Sequence, residues 1–424
     1  MDYIKDFINY IDNSPVNFYA ISNAEDRLIK AGYKRVFEDD LSNVKLGDKI
    51  YFKRMDLSLI AFDIGLQANN YKYPLHIIAS HVDSPCFKIK PNIESRDSNY
   101  IHVDVEPYGG MIVSSWLDRL LSIAGRVTYK KDDEVISKLI NIDEDILMMP
   151  NLCIHFNRDI NDGYKYNYVM DSQPISNISI KEKIFDILNI KESELLSHDL
   201  YLYNRDKCHI WGEYISSPRL DDLQCVYTSL MSFIESHNDH AINVLYLANN
   251  EEVGSSSSTG ADSDYLYSLI KLLSVQLGFS LESSVYNSYL ISADNAHAIH
   301  PNHMEVYDKD NAPKMNEGLV IKYNASNRYT SDSVSAGILI DILSRKNLPY
   351  QSFANKSDIR GGSTLGNILL NHVSMLSVDV GLAQLAMHSS FETAGAKDIE
   401  LAIDSFKAFY SSDIIKDIDK YIVR

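Results

Sequence analysis

Two hydrophobic periods alternate along the chain. From Asp2 to Asn13 the apolar residues Tyr3, Ile4, Phe7, Ile8 and Ile11 recur at helical spacing. A second helix is expected to open at Ser22, where Glu25 three residues on completes a capping-box pattern, and to end near Gly32. The pattern then shortens. Lys49 to Phe52 and Ser58 to Phe62 read as a hairpin around Met55-Asp56, and Leu75 to Ser80 as a more buried strand that runs into His81-Val82-Asp83. From about residue 93 alternating segments such as Tyr100 to Val105 dominate. They are followed by the turn Pro107-Tyr108-Gly109-Gly110 and a hairpin over Gly125 to Ile140, while Ile180 to Leu196 has helical spacing. This texture predicts a β-rich domain over 93–207, inserted into a first domain made of 1–92 and 208–424.

The first domain resumes with a helix whose face is Leu223, Val226, Tyr227, Leu230, Phe233 and Ile234, ending near His237. The run Ile242 to Tyr246 predicts a core strand, closed by Leu247-Ala248-Asn249-Asn250-Glu251-Glu252-Val253-Gly254. Ser255 to Ser258 reads as a loop or helix start. Tyr289 to Ser292 is a further buried run ending in Ala293-Asp294. Helices are expected over Ser333 to Leu343, behind Asp332, and over Asp398 to Tyr410.

Composition narrows the function classes. At 424 residues two domains are expected, and a formal net charge of −18 argues against nucleic acid and anionic membrane surfaces as partners. Cys86, Cys153, Cys208 and Cys225 are scattered without CxxC spacing, which suggests neither a disulfide framework nor a thiolate zinc site. No apolar run reaches the roughly 18 residues needed to span a bilayer, and the first residues lack signal-peptide features, so the expectation is a cytoplasmic protein.

Several elements end in residues of metal-ligand type: His81 with Asp83, Glu251 with Glu252, Asp294, and the late His388, with Asp221 at a helix entrance. Each alone has an ordinary reading as a capping, core or surface residue. Together they matter, because strand ends in an α/β sheet gather at one edge. Imidazole and carboxylate without thiolate suit zinc, manganese or cobalt. Two histidines and three carboxylates exceed one tetrahedral ion, whereas a shared carboxylate can hold two ions about 3.5–4 Å apart. Of the adjacent pair Glu251 and Glu252, one could bind a cation while the other reaches a water on it.

His81-Val82-Asp83-Ser84-Pro85, Pro218-Arg219-Leu220-Asp221-Asp222, Asn250-Glu251-Glu252-Val253-Gly254, Asp294-Asn295-Ala296-His297 with His300-Pro301-Asn302, and Gln384-Leu385-Ala386-Met387-His388-Ser389 together resemble the aspartyl aminopeptidase (M18) family of metallopeptidases, in that family's order. The resemblance implies an α/β dinuclear zinc-peptidase fold, a mixed central sheet flanked by helices, with an inserted β-rich dimerisation domain, and dimers assembled into a homo-oligomer, typically a dodecamer. It assigns His81 and Asp294 to one ion, Glu252 and His388 to the other, Asp221 between them, and Glu251 as general base. Asp83 would take the imidazole N–H of His81. His155, in Asn151-Leu152-Cys153-Ile154-His155, would reach a neighbouring subunit's site. His297, Lys322 and the loop Gly361-Gly362-Ser363-Thr364 would line the substrate pocket, with Lys322 drawing an acidic side chain. The function implied is removal of the N-terminal residue from peptides, favouring Asp or Glu. The alternatives are a related dinuclear amide hydrolase, a neutral-residue aminopeptidase, or an inactive assembly protein. No Gly-x-Ser-x-Gly elbow supports a serine hydrolase.

Overall fold

The structure, a computed structural model, describes residues 2–97 and 99–424. Its organising strand is Ile242–Ala248, in which all seven residues are buried. Leu245 and Leu247 face one hydrophobic core and Val244 and Tyr246 the other, so a run without polar alternation is what a strand covered on both faces requires. It lies in a nine-stranded mixed sheet in the order Lys34–Arg35, Lys49–Arg54, Ser58–Ile64, Ile242–Ala248, Leu75–His81, Tyr289–Ala293, Leu376–Gly381, Leu319–Tyr323, Tyr350–Ala354. Ile242–Ala248 runs parallel to Leu75–His81, with Ala248 opposite His81. Tyr289–Ala293 is parallel to both of its neighbours. The chain therefore leaves these strands at one edge, immediately before or at the polar residues noted above.

One face of the sheet is covered by the helices Tyr3–Asp12, Asn17–Lys30, Leu220–Glu235, Ser333–Arg345 and Lys397–Tyr410. The other carries Tyr265–Leu277 and Leu365–Leu369. The second helix starts at Asn17, not Ser22, after Val16 in extended backbone and without a side-chain cap. Phe18, Ala20 and Ile21 already belong to its buried face, so tertiary burial extends the helix back past Ser22, and Ser22 with Glu25 is an interior pair.

Between Cys86 and Asn204 the chain builds a separate seven-stranded antiparallel sheet. Leu195–Asn204 pairs with both Cys86–Asp97 and Leu120–Lys131, which closes the sheet on itself around Phe87, Val103, Leu121, Ile123, Leu200 and Leu202. Position 93 falls inside its first strand. The helix expected over Ile180 to Leu196 ends at Leu188, because Asn189 is left-handed (φ 52°), and the chain re-enters the sheet at Leu195. A small five-stranded sheet, unanticipated from periodicity, joins His209–Trp211, Tyr214–Ser217, Glu392–Gly395, Ala383–Leu385 and Ala296–His297. Its strands are two to four residues long, too short to register as a period. Among the described residues no helix is long and apolar enough to cross a membrane.

Candidate metal centre

His81 is the last residue of its strand and is almost wholly buried, at 1% exposure. Its Nδ1 lies 3.0 Å from the main-chain oxygen of Asp83 and donates to it, so Nε2 is the nitrogen that faces Asp221 Oδ1, at 3.5 Å. The Asp83 carboxylate sits farther from the ring, Oδ1 at 3.6 Å, and is engaged elsewhere. It accepts the backbone N–H groups of Glu251 and Glu252, each at 3.2 Å, and the Tyr108 hydroxyl at 2.8 Å. Asp83 therefore orients the imidazole through its carbonyl and the Glu251-Glu252 turn through its carboxylate.

Beyond Ala248 the chain turns through Asn250 (φ 62°) into one 3-10 turn, Glu251–Val253. Glu252 Oε2 stands 3.5 Å from His388 Nε2, and that nitrogen is 3.5 Å from Asp221 Oδ2. His388 Nδ1 is 2.7 Å from the Gly110 carbonyl and donates to it, so Nε2 is the nitrogen left to face Asp221 and Glu252. Asp221 thus has one oxygen toward His81 and the other toward His388.

Three groups have ligand atoms mutually within 4.8 Å: His81, Asp221, Asp222 and Asp294; His81, Glu251 and Glu252; and Asp221, Glu252 and His388. Asp221 belongs to the first and third. Asp221 Oδ1 and Glu252 Oε1 are buried without a hydrogen-bond partner, a costly state for carboxylate oxygens unless a cation meets them. Two imidazole nitrogens that face carboxylates with unpartnered oxygens form a donor set that fits borderline divalent ions, which would take the place of the imidazole protons.

The electrostatics follow from this crowding. Burial pushes the Glu251 carboxyl up to about 8, with repulsion from Asp294, Asp83 and Asp221 working against the pull of His81. Burial, then Asp221, raises Glu252 well above the ordinary range. Burial also raises Asp294. Asp221 goes the other way. Burial opposes its charge, but the two imidazoles His388 and His81 hold it below the usual carboxylate value. His388, drawn down by burial, is held up at about 10 by Asp221 and Glu252.

The remaining pocket residues divide. His297 lies on the small sheet, largely buried, and burial followed by the nearby Lys322 charge lowers its pKa. Lys322 is 2% exposed; its ammonium donates to Asn295 O at 3.1 Å and stands 3.6 Å from Asp294 Oδ1. The Gly361–Gly362 segment lines a cavity of about 210 Å³ that opens beside His297, with Tyr307, Asn355, Lys356 and Arg360. His155 is exposed on a loop of the inserted segment, outside the three ligand groups of this chain.

Two residues missed in the sequence hold the site's backbone. Asp222 accepts the N–H of His81 and of Asn295, each at 3.2 Å. Glu392 accepts the N–H of Asp221 at 3.0 Å and of His388 at 2.8 Å. Asp222 adjoins Asp221 and Glu392 follows His388 by four residues, and proximity to ligands was the only signal either offered.

Residues 10–410 match the family described as aminopeptidase I zinc metalloprotease (M18). A probable M18 family aminopeptidase 2 from Clostridium acetobutylicum is 40% identical over 97% of this chain and 99% of its own length. One of the same description from Ectopseudomonas mendocina is 35% identical over 96% and 98%. Among solved structures, one of an Ape4 and Nbr1 complex superposes with a TM-score of 0.91 at 30% identity, covering 96% of this chain and 85% of the other. The mApe1 dodecamer of S. cerevisiae gives 0.82 at 27%, covering 96% of each chain.

Proposed function

The chain belongs to the M18 family of metal-dependent aminopeptidases, and on that premise we propose that it removes N-terminal Asp or Glu from peptides at the site around Asp221. The observation that carries the site is the two unpartnered buried oxygens, Asp221 Oδ1 and Glu252 Oε1, amid converging imidazole nitrogens. Two divalent ions, zinc before manganese or cobalt, would be held by His81 with Asp294 and by Glu252 with His388, and Asp221 would serve both. When bound, such ions supply Lewis acidity that acidifies a water and polarises the scissile carbonyl.

The protein's own part falls to Glu251. Its neighbour is committed to His388, so Glu251 is free to take the proton of the attacking water and pass it to the leaving amine. Burial raises its proton affinity, which favours the first half of that transfer, uptake of the proton from the water. For an acidic substrate side chain, Lys322 supplies a buried positive charge beside Asp294, and the half-buried Lys356 and exposed Arg360 supply others beside His297. The exposed Leu152, Ile154 and Phe156 flanking His155 support a face that meets a second copy of the chain, as in a homo-oligomer built from dimers, with His155 delivered in trans. The experiment is a panel of unblocked Asp, Glu, Leu and Lys substrates with zinc, manganese, cobalt or chelator. Chelator-sensitive cleavage with Asp or Glu ahead by tenfold or more is expected. A neutral preference would remove the acidic-pocket reading, and no cleavage with any metal would remove the peptidase assignment of the site.

A further inference from the structure

The inserted sheet does more than stand beside the site. Its second strand, Tyr100–Tyr108, ends in the turn Tyr108-Gly109-Gly110, and each residue of that turn meets a different part of the centre. The Tyr108 hydroxyl donates to Asp83 Oδ2 at 2.8 Å, and Asp83 in turn accepts the N–H groups of Glu251 and Glu252. Asn250, one residue earlier, donates to the same hydroxyl at 2.9 Å. Gly109 has φ +78°, and a β-carbon built there would stand 3.1 Å from Glu252 Cβ. The Gly110 carbonyl takes the Nδ1 proton of His388 at 2.7 Å. Just beyond, Ile112 N donates to His388 O at 3.0 Å, and Ser390 N donates to Ser115 Oγ at 2.8 Å.

These contacts fall unevenly on the two sides of Asp221. His388 and Glu252 are both seated against the turn. His81 takes its Nδ1 acceptor from Asp83 within its own segment, and Asp294 stands beside Lys322 of the main sheet. The Gly110 contact also fixes which nitrogen of His388 is available to a cation, since Nδ1 is occupied by the carbonyl and Nε2 faces Asp221 and Glu252.

We infer that the Tyr108-Gly109-Gly110 turn is a positioning element for the His388 and Glu252 side of the centre, so that docking of the inserted sheet sets the affinity for one of two cations and not the other. Glycine at 109 is favoured on two counts: a positive φ, and an approach so close that a β-carbon there would fit only if Glu252 gave way by a few tenths of an ångström. The inference rests on the two-ion reading above.

The test is calorimetric titration of metal-free wild type, Gly109→Ala and Tyr108→Phe with zinc, alongside circular dichroism and melting of each metal-free protein. For wild type, two ions per chain are expected. In G109A one should bind as in wild type and the other 10–100-fold more weakly, the range typical of lost supporting contacts. Y108F, which keeps the ring and loses the hydroxyl contacts to Asp83 and Asn250, should weaken the same ion by a smaller factor. Two ions at wild-type affinity in both variants would overturn the positioning role, as would equal weakening of both ions. Fewer than two ions in wild type would overturn the two-ion reading and the inference with it. Should G109A fail to fold, Y108F alone decides between these outcomes.

Discussion

Glu251 and Glu252 are chemically identical neighbours separated only by what surrounds them. Glu252 is paired with His388 and has one buried oxygen without a partner, whereas Glu251 makes no such pairing. If Glu252 holds a cation and Glu251 moves the proton, replacing each should give opposite signatures. Glu251→Gln keeps the shape and the metal ligands, so turnover should fall about 10²–10⁴-fold while two ions still bind by calorimetry. Glu252→Gln should instead lose an ion. Loss of metal in E251Q, or near-native turnover, would reverse the assignment. The sequence could offer the pair but not divide it, because the division depends on one 3-10 turn and on which glutamate meets an imidazole from more than a hundred residues away. Asp83 makes the same point. Its position after His81 suggested a carboxylate on the ring, yet its carbonyl lies nearer and the carboxylate serves the glutamate turn.

At the level of elements, the centre is a meeting of segment ends, and buried carboxylates fasten them. Glu392, on the strand Glu392–Gly395, takes N–H groups from the entrance of the helix Leu220–Glu235 and from the His388 loop, with Gln384 Nε2 donating as a third at 3.3 Å. Three donors converging on one carboxylate leave no room for an amide. Glu392→Gln must turn its NH₂ toward a backbone N–H in either orientation, so Asp221 or His388 loses its anchor. Zinc affinity is expected to fall about 10–100-fold, read by competition with a chromogenic chelator, with the metal-free protein still unfolding cooperatively. Unchanged affinity would demote Glu392 to a structural contact. No sequence pattern announces such a residue, since the groups it joins lie about 170 residues apart on one side and four on the other. The strands and helices themselves were far more legible. Ile242–Ala248 follows directly from its unbroken apolar run, and the helix Ser333–Arg345 from Asp332, whose side chain accepts from Val334 N and Ser335 N. The start at Asn17 was not, because buried Phe18 and Ile21 outweigh a local capping signal.

For the whole molecule, the question is whether one chain holds a complete site. His155 lies on an exposed loop, near Phe156 at 80% exposure, while the ligand groups lie elsewhere in the same chain. Sequence texture could mark a β-rich stretch but could not say which surface a second copy covers, since that information lies in exposure and not in period. If His155 completes a neighbour's site, two differently disabled chains should repair one another. His155→Ala retains Glu251, and Glu251→Gln retains His155. In a mixed dimer, the His155→Ala subunit would supply Glu251 and receive His155 from its partner, rebuilding one of two sites. With random pairing, half the dimers are mixed and half their sites intact, so co-expression should recover about a quarter of wild-type turnover, against almost none for either variant alone. If His155 acts within its own chain, mixing restores nothing, because every site carries one defect or the other. A signal that rises with the mixed fraction and vanishes on dilution below the dimer dissociation constant would place the shared histidine in the neighbour and make assembly a condition of activity.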